Sequence, residues 1–192
     1  MKRDGMFTSY RGVTMQQRAE VATTFRALFT DIRPRRVLEI GTADGGLTLL
    51  LRDLLDELVG ADVPLWTVDH SGVERPHLAH PALHQLTADT FAVRHHLIDF
   101  IGEAGPSVVL CDGGDKAREF TTFAPALKPG DVIMAHDYSP TYAFFNYMMR
   151  GQVWDWLEIT DETVASVSEA HGLTPYHQDD WQQVAWACRR RS

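Results

Sequence analysis

The stretch RVLEIGTADGGLT, residues 36–48, determines the fold of this chain. It predicts a buried apolar strand that runs into an acid, a glycine-rich turn and a new helix, which is the βα turn that handles nucleotides in α/β proteins. Gly41, Gly45 and Gly46 permit a tight turn and a close approach of the backbone to a ligand, because glycine reaches positive φ and has no Cβ. The stretch therefore predicts a ligand site where the first sheet strand ends.

The carboxylate of Glu39 argues against a dinucleotide ligand. A pyrophosphate requires the G-x-G-x-x-G pattern and free N–H groups at a helix N-terminus, whereas this turn reads G-x-x-x-G-G behind an acid that would repel phosphate. We therefore expect a ligand with positive charge at this point. S-adenosylmethionine (SAM) meets that requirement, because it carries an ammonium group and a sulfonium but no phosphate.

The sequence VLEIGTADGG, residues 37–46, resembles the first motif of the class I SAM-dependent methyltransferases, and three later acids lie where that family has them. The resemblance implies that Glu39 and the loop 41–46 hold the methionine part, that Asp69 binds the ribose hydroxyls and that Asp89 and Thr90 lie near the adenine. The structural alternative is a plain turn, with Glu39 as a helix N-cap. The implied cofactor-binding residues are Glu39, Gly41, Thr42, Asp44, Gly45, Gly46, Asp69, His70, Asp89, Thr90 and Asp112.

The length of 192 residues predicts one domain, residues 1–192, in which residues 1–33 form an N-terminal helical lid or extension. The formal net charge of −8 argues against a nucleic-acid partner, which requires a basic face. No apolar run approaches the ~20 residues that span a bilayer, and residues 1–6 lack the apolar core of a signal peptide. We therefore expect a cytoplasmic protein without a membrane partner.

The two cysteines, Cys111 and Cys188, have no CxxC spacing, so neither a disulfide framework nor a cysteine metal site is expected. We interpret both as inert packing residues. The run Arg189–Arg191 is interpreted as a solvated tail. Neither feature suggests a function.

Apolar runs alternate with helical patterns along the chain. A first helix is expected from Met15 to Phe29, before Pro34. Strands are predicted at 37–40, 65–68, 83–86, 108–111 and 132–135, helices at 46–58, 91–101, 116–127 and 162–171, and a final strand pair at 173–176 and 182–187. This alternation predicts an α/β fold: a doubly wound, mostly parallel, seven-stranded Rossmann-like methyltransferase sheet with an antiparallel C-terminal hairpin.

Polar side chains follow two neighbouring strands of the predicted sheet. Asp112 follows the strand 108–111, and His136 and Asp137 follow the strand 132–135. The carboxyl ends of parallel strands form the ligand-binding edge of such a sheet. Carboxylates suit magnesium or manganese, and a histidine shifts the preference toward transition metals. Asp112, His136 and Asp137 are therefore candidate ligands of a divalent metal.

The segment CDGGDKAREFTTFAPALKPGDVIMAHDY, residues 111–138, resembles the metal-dependent O-methyltransferases of the group that contains the cephalosporin hydroxylase and the rhamnosyl and macrocin O-methyltransferases. In that group an acid after the fourth strand and a pair of acids after the fifth hold magnesium. Asp112 and Asp137 match this pattern, whereas His136 stands where an acid is usual. Metal-dependent relatives use a lysine close to the position of Lys116, which becomes a catalytic candidate with Asp112 and His136.

These observations predict a SAM-dependent methyltransferase that acts on a hydroxyl of a small natural-product or sugar-type molecule. Two routes to the nucleophile are open: a bound Mg²⁺ or other divalent ion lowers the pKa of the acceptor hydroxyl, or His136 removes its proton without a metal. The segment 139–149, with Tyr10, is expected to form the acceptor pocket, and exposed Trp154 and Trp156 could form a homodimer face. Alternatives are a hydroxylase-like relative, a non-catalytic SAM-binding partner protein and a nicotinamide enzyme.

Overall fold

The protein is described from a computed structural model, which describes residues 7–73 and 75–192. The segment 1–6, which is predicted not to be a signal peptide, lies outside the described residues. Two short strands precede the first helix, and a sheet of seven further strands follows. The strands are β1 Thr8–Tyr10, β2 Val13–Met15, β3 Arg36–Ile40, β4 Leu65–Asp69, β5 Leu83–Thr87, β6 Ser107–Cys111, β7 Val132–His136, β8 Leu173–Pro175 and β9 Trp186–Arg191. The helices are α1 Val21–Ile32, α2 Gly46–Leu58, α3 Arg94–Gly102, α4 Lys116–Phe123, α5 Tyr142–Phe144, α6 Asp161–Ala170 and α7 Gln178–Gln182. A 3₁₀ turn, Ala124–Ala126, and a π-helical turn, Phe145–Met149, complete the helical segments.

The main sheet has the strand order β5-β4-β3-β6-β7-β9-β8. The first five strands in this order pair in parallel, and β9 pairs antiparallel with both of its neighbours. The predicted doubly wound sheet with an antiparallel C-terminal strand pair is therefore confirmed. The order reverses between β3 and β6, so the carboxyl ends of these two strands form the topological switch point where such sheets bind ligands.

The central strands β3, β6 and β7 are buried on both faces, because helices cover the two sides of the sheet. Alternate residues of β3 show this: Val37 packs with α1, α2 and α7, whereas Leu38 and Ile40 pack with α3, α4 and α6. Cys111 and Cys188 are free and buried, and burial raises the pKa of both thiols, so they pack as the sequence predicts. None of the helices formed by the described residues is long and apolar enough to cross a bilayer.

The N-terminal segment differs from the prediction of a helix beginning at Met15. Residues 8–15 form an antiparallel hairpin, and α1 begins only at Val21. Gln17 accounts for the delay, because its buried side chain and its carbonyl bond to residues outside any helix. The apolar residues from Met15 onward therefore belong to the end of a hairpin and to a helix that is shorter than predicted.

The C-terminal segment also differs. Gln182 lies in α7 instead of a strand, and β9 begins at Trp186. The predicted solvated tail Arg189–Arg191 is wrong, because these residues belong to β9. Arg189 is buried and pairs with Asp161 at 2.5 Å. Arg189 can be buried here because the carboxylate of Asp161, on α6, neutralises it.

Gly41 lies where the turns after β3 and β6 meet, with φ +93°. A Cβ at this position would stand 2.2 Å from the carbonyl oxygen of Asp112. We expect Gly41→Ala to lower the free energy of unfolding by about 2–4 kcal/mol. The cost of an alanine at positive φ adds to the cost of the overlap between its Cβ and the carbonyl oxygen of Asp112. Gly114→Ala in the neighbouring turn is the control, since nothing lies within 4 Å of the added carbon. Urea denaturation measures both variants, and equal losses would contradict the expectation.

Candidate functional site

A cleft follows the carboxyl ends of β3, β4, β6 and β7. It consists of two cavities of about 240 Å³ and 180 Å³ that share Gly41, Ala43, Asp112 and Gly113 in their walls. The larger cavity is also lined by Thr42, Gly46, Lys116, His136, Asp137 and residues of the N-terminal hairpin segment; the smaller one by Asp69, His70 and Thr90. Most of the predicted site residues therefore meet in one place.

Asp69, the last residue of β4, presents an ionised carboxylate to the smaller cavity. Its oxygens accept the N–H groups of Ala43 at 2.9 Å and Ser71 at 2.8 Å, and Arg75 donates to it at 3.0 Å. Burial alone would raise the pKa of Asp69, but the Ser71 and Ala43 hydrogen bonds and the Arg75 charge outweigh it, so the pKa is lowered. An acceptor-only group fixed in this way suits the hydroxyls of a ribose.

Glu39 lies beneath the glycine-rich turn, away from both cavities of the cleft. Its Oε2 accepts the hydroxyl of Thr48 at 2.6 Å, and its Oε1 is buried without a partner among the described residues. Burial raises the pKa of Glu39 to about 7, against an ordinary value of 4.5. In this arrangement the carboxyl group ties β3 to α2, and its contact with an ammonium group stays a prediction.

The other predicted cofactor residues divide into two sets. Thr42, Gly46, His70 and Thr90 reach the cleft, whereas Asp44, Gly45 and Asp89 line neither cavity. The missing side chain of Gly46 admits the hairpin backbone, since a Cβ would stand 2.4 Å from the carbonyl oxygen of Thr14. Asp89 instead caps the following turn, where its Oδ1 accepts the N–H groups of Phe91 and Ala92.

Asp112 and His136 form a hydrogen-bonded pair at the centre of the cleft. His136 Nδ1 lies 3.0 Å from Asp112 Oδ1, and because a carboxylate only accepts, Nδ1 carries the proton in this bond. His136 Nε2 is buried with no partner in the described part of the chain. The imidazole is held between the rings of Trp154 and Trp186, whose centroids lie 4.7 Å and 4.8 Å from its own. The pair is therefore fixed in orientation and keeps one nitrogen lone pair unused.

Gln17 holds the second oxygen of Asp112. Its amide nitrogen donates to Asp112 Oδ2 at 2.8 Å, and its amide oxygen accepts the indole N–H of Trp186 at 2.8 Å. Spacing alone does not predict this role, because Gln17 lies within the segment predicted as the first helix and has no distinctive pattern around it. The only available signal was the buried indole of Trp186, which requires an acceptor.

Asp137 has left-handed backbone geometry, with φ +57°. Its carbonyl oxygen accepts the N–H groups of Glu158 and Ile159, and its carboxylate accepts the indole N–H of Trp154. Burial alone would raise the pKa of Asp137, but the neighbouring His136 and the ammonium group of Lys116 outweigh it, so the pKa is lowered. A strained aspartate after a central strand is typical of functional sites.

Lys116, the first residue of α4, places its ammonium group among oxygens. Nζ lies 2.9 Å from Asp137 Oδ2, 3.1 Å from Glu158 Oε1 and 3.0 Å from the carbonyl oxygen of Gly113, with Asp112 Oδ1 at 4.0 Å. Burial alone would lower the pKa of Lys116, but the surrounding carboxylates outweigh it and the pKa is raised. Lys116 is therefore a permanent cation and is not suited to act as a base.

The predicted ligands Asp112, His136 and Asp137 come together, since His136 Nδ1 also lies 3.6 Å from Asp137 Oδ1. They do not fit a divalent metal as they stand, because Lys116 binds the oxygen of Asp137 that a metal would need. Across residues 7–73 and 75–192, no group of three His, Cys, Asp or Glu has an arrangement that could hold a metal ion. The oxygens of this part of the cleft surround the ammonium group of Lys116.

Aromatic side chains form the outer wall of the larger cavity. Phe7, Trp154 and Trp156 contact one another, with ring centroids 5.3–5.8 Å apart. The prediction that Trp154 is exposed is wrong: it is 2% exposed, whereas Trp156 is 48% exposed. No residue of 139–149, the expected acceptor pocket, lines either cavity of the cleft. Phe145 and Met149 pack with Trp154 instead.

The strand order and the position of the cleft define the Rossmann-like fold of SAM-dependent methyltransferases. Three of the solved structures that share it are the following. CmcI in a Mg-SAM complex is 17% identical, with a TM-score of 0.68 over 96% of this chain and 77% of CmcI. MycE, a methyltransferase of the mycinamycin biosynthetic pathway solved with Mg and SAH, is 16% identical, with a TM-score of 0.53 over 88% of this chain and 49% of MycE. A Staphylococcus aureus protein assigned as a caffeoyl-CoA O-methyltransferase is 13% identical, with a TM-score of 0.60 over 90% of this chain and 83% of that protein.

At these identities the likeness shows the fold, and it agrees with the resemblance drawn from residues 37–46 and 111–138. No protein-family model and no curated protein matches the chain.

Glu39 is expected to make stability depend on pH. Its pKa is raised in the folded chain, so the folded state holds an extra proton between pH 4.5 and about pH 7, and stability falls as the pH rises through this range. Glu39→Gln cannot ionise. We expect the stability of the native protein to decline relative to this variant by about 1 kcal/mol per pH unit there. Urea denaturation at several pH values measures the difference, and parallel curves would contradict it.

Proposed function

We propose that this protein is a SAM-dependent methyltransferase that transfers a methyl group to a hydroxyl of a small molecule. The observation that carries the proposal is His136: its Nδ1 is held by Asp112, and its buried Nε2 has no partner among the described residues. An unused imidazole nitrogen in the wall of a ligand cleft is typical of a general base. The methyltransferase fold and the Mg-SAM complex of CmcI support SAM as the methyl donor.

The cofactor would bind along the joined cavities. Asp69 would accept the ribose hydroxyls, His70 and Thr90 would border the adenine end, and Gly41 and Thr42 would border the methionine end. When bound, SAM supplies a methyl group that is activated by the positive sulfur. The chain itself has to align the acceptor oxygen with that methyl group, and alignment accounts for much of the acceleration in such a displacement.

The proton of the acceptor hydroxyl would pass to the Asp112–His136 pair. The side chain of Asp112 is 15% exposed and that of His136 is 3% exposed, and both residues line the larger cavity. Proton uptake there turns a neutral hydroxyl into an effective nucleophile, and the hydrogen bond from Nδ1 to Asp112 stabilises the imidazolium that forms. No step requires a metal ion, because the residues of the cleft do not fit one.

The wall of Phe7, Trp154 and Trp156 favours an acceptor with a flat face, such as an aromatic ring or the apolar face of a sugar. Pockets for such molecules combine apolar and aromatic walls with a few polar groups. Here the polar groups are Asp112, His136 and the side chain of Gln17. A hydroxyl on a ring that packs against this wall would lie on the same side of the cleft as the base.

Calorimetry with SAM tests cofactor binding. We expect micromolar affinity for the native protein and a loss of at least about tenfold in Asp69→Ala, because the ribose loses an acceptor for its hydroxyls. Asp62→Ala is a matched control, since Asp62 is exposed and lies outside the walls of both cleft cavities. Absence of binding to the native protein would reject the proposed function.

Release of S-adenosylhomocysteine with a panel of hydroxylated aromatic and glycosylated acceptors tests the base. We expect His136→Ala to lower kcat by about 10²–10⁴, the usual contribution of a general base, and to leave the affinity for SAM nearly unchanged. His95→Ala, which removes an exposed histidine of α3, should retain full activity. An active His136→Ala protein would reject this role, and binding without turnover would favour a non-catalytic SAM-binding protein.

A further inference from the structure

The ammonium group of Lys116 is fully coordinated by the protein. An ammonium has three N–H donors, and three oxygens accept from it: Gly113 O, Asp137 Oδ2 and Glu158 Oε1, all within 3.1 Å. Asp112 Oδ1 completes the shell at 4.0 Å. Lys116 is buried, so this shell replaces its hydration. Four oxygens around one cation resemble the ligand shell of a hard metal ion.

The position of Lys116 is not explained by the stability of its own helix. It is the first residue of α4, where a positive charge opposes the helix dipole. The carboxylates that hold it come from three other segments: Asp112 after β6, Asp137 after β7 and Glu158 before α6. A lysine at an unfavourable helix position, buried among three acids, indicates that those acids require a cation.

We propose that the Lys116 ammonium takes the place of a divalent metal ion in this cleft. The carboxylates of the site require a cation, and a side chain of the protein provides it. Two features act together. His136, the last residue of β7, contributes no carboxylate to the site, and the ammonium of Lys116 lies between Asp112 and Asp137, 2.9 Å from Asp137 Oδ2 and 4.0 Å from Asp112 Oδ1. A divalent ion would have to displace a bound ammonium, whereas without that ammonium the same three carboxylates would attract one.

In the reaction, Lys116 acts as a positioning residue and a fixed positive charge. It orients Asp137 and lies close to Asp112, where negative charge develops on the acceptor oxygen. This role rests on the proposed function. The replacement of a metal ion does not, because it concerns the charge arrangement of the cleft with or without a methyl acceptor.

Electron paramagnetic resonance of Mn²⁺ tests the replacement directly. Lys116→Met, which keeps the length of the side chain and removes the charge, is expected to bind one Mn²⁺ ion in the cleft. At the same Mn²⁺ concentration the native protein is expected to show no bound ion, which corresponds to an affinity at least about tenfold lower. Lys128→Met is the matched control. Lys128 pairs with Asp131 at 2.7 Å near the opposite edge of the sheet, so its loss should create no Mn²⁺ site.

Binding of one Mn²⁺ by the native protein that Asp112→Asn abolishes would overturn the proposal, and so would a folded Lys116→Met protein that binds none. If Lys116→Met does not fold alone, its thermal unfolding is measured with Mn²⁺ present. The proposal requires that Mn²⁺ binding restore the folded state by mass action. A variant that stays unfolded with Mn²⁺ overturns the proposal. These readouts do not depend on turnover. They can therefore succeed even if SAM binding or methyl transfer is not found.

Discussion

The close approach of two turns determines the geometry of the cleft. The turn after β3 and the turn after β6 meet at Gly41, whose missing side chain leaves room for the carbonyl group of Asp112. The parallel pairing of β3 with β6 and of β6 with β7 then brings Asp112 beside His136 and Asp137. The polar side chains occupy one edge because the backbone hydrogen bonds of the sheet place them there. Their arrangement depends first on that backbone contact.

The charged groups at this edge depend on partners within the protein, because most of them are buried. Lys116 is held by Asp137 and Glu158, and Asp112 is held by His136 and Gln17. Removing one partner of such a set leaves another charge without compensation, which costs more than the pair itself contributes. The strained backbone of Asp137 persists for the same reason, since the carbonyl and the carboxylate of this residue both have fixed donors. The cleft is therefore rigid before any ligand enters.

The sequence was sufficient for the sheet and for the residues that follow its strands, because both depend on local patterns. Apolar runs and glycine turns located β3, β6 and β7, and the polar residues at the ends of β6 and β7 placed Asp112 and His136 at the cleft. It was not sufficient for Gln17, whose partners lie more than ninety positions away. It also failed for Arg189, where a charge pattern indicated solvent and a distant carboxylate allowed burial. Local spacing cannot reveal a partner that only the fold supplies.

The bridge made by Gln17 has a consequence for the order in which the site is completed. Its side chain joins Asp112 to Trp186, and the two bonded residues Gln17 and Trp186 are 169 positions apart. Synthesis of the chain supplies Gln17 early and Trp186 late, so a nascent chain has the glycine-rich turn and the acids long before it can fix them. Contacts of such long sequence separation are also slow to form. The bridge can therefore form only after β9 has been synthesised, so the orientation of Asp112 depends on a strand that lies near the C-terminal end of the sequence.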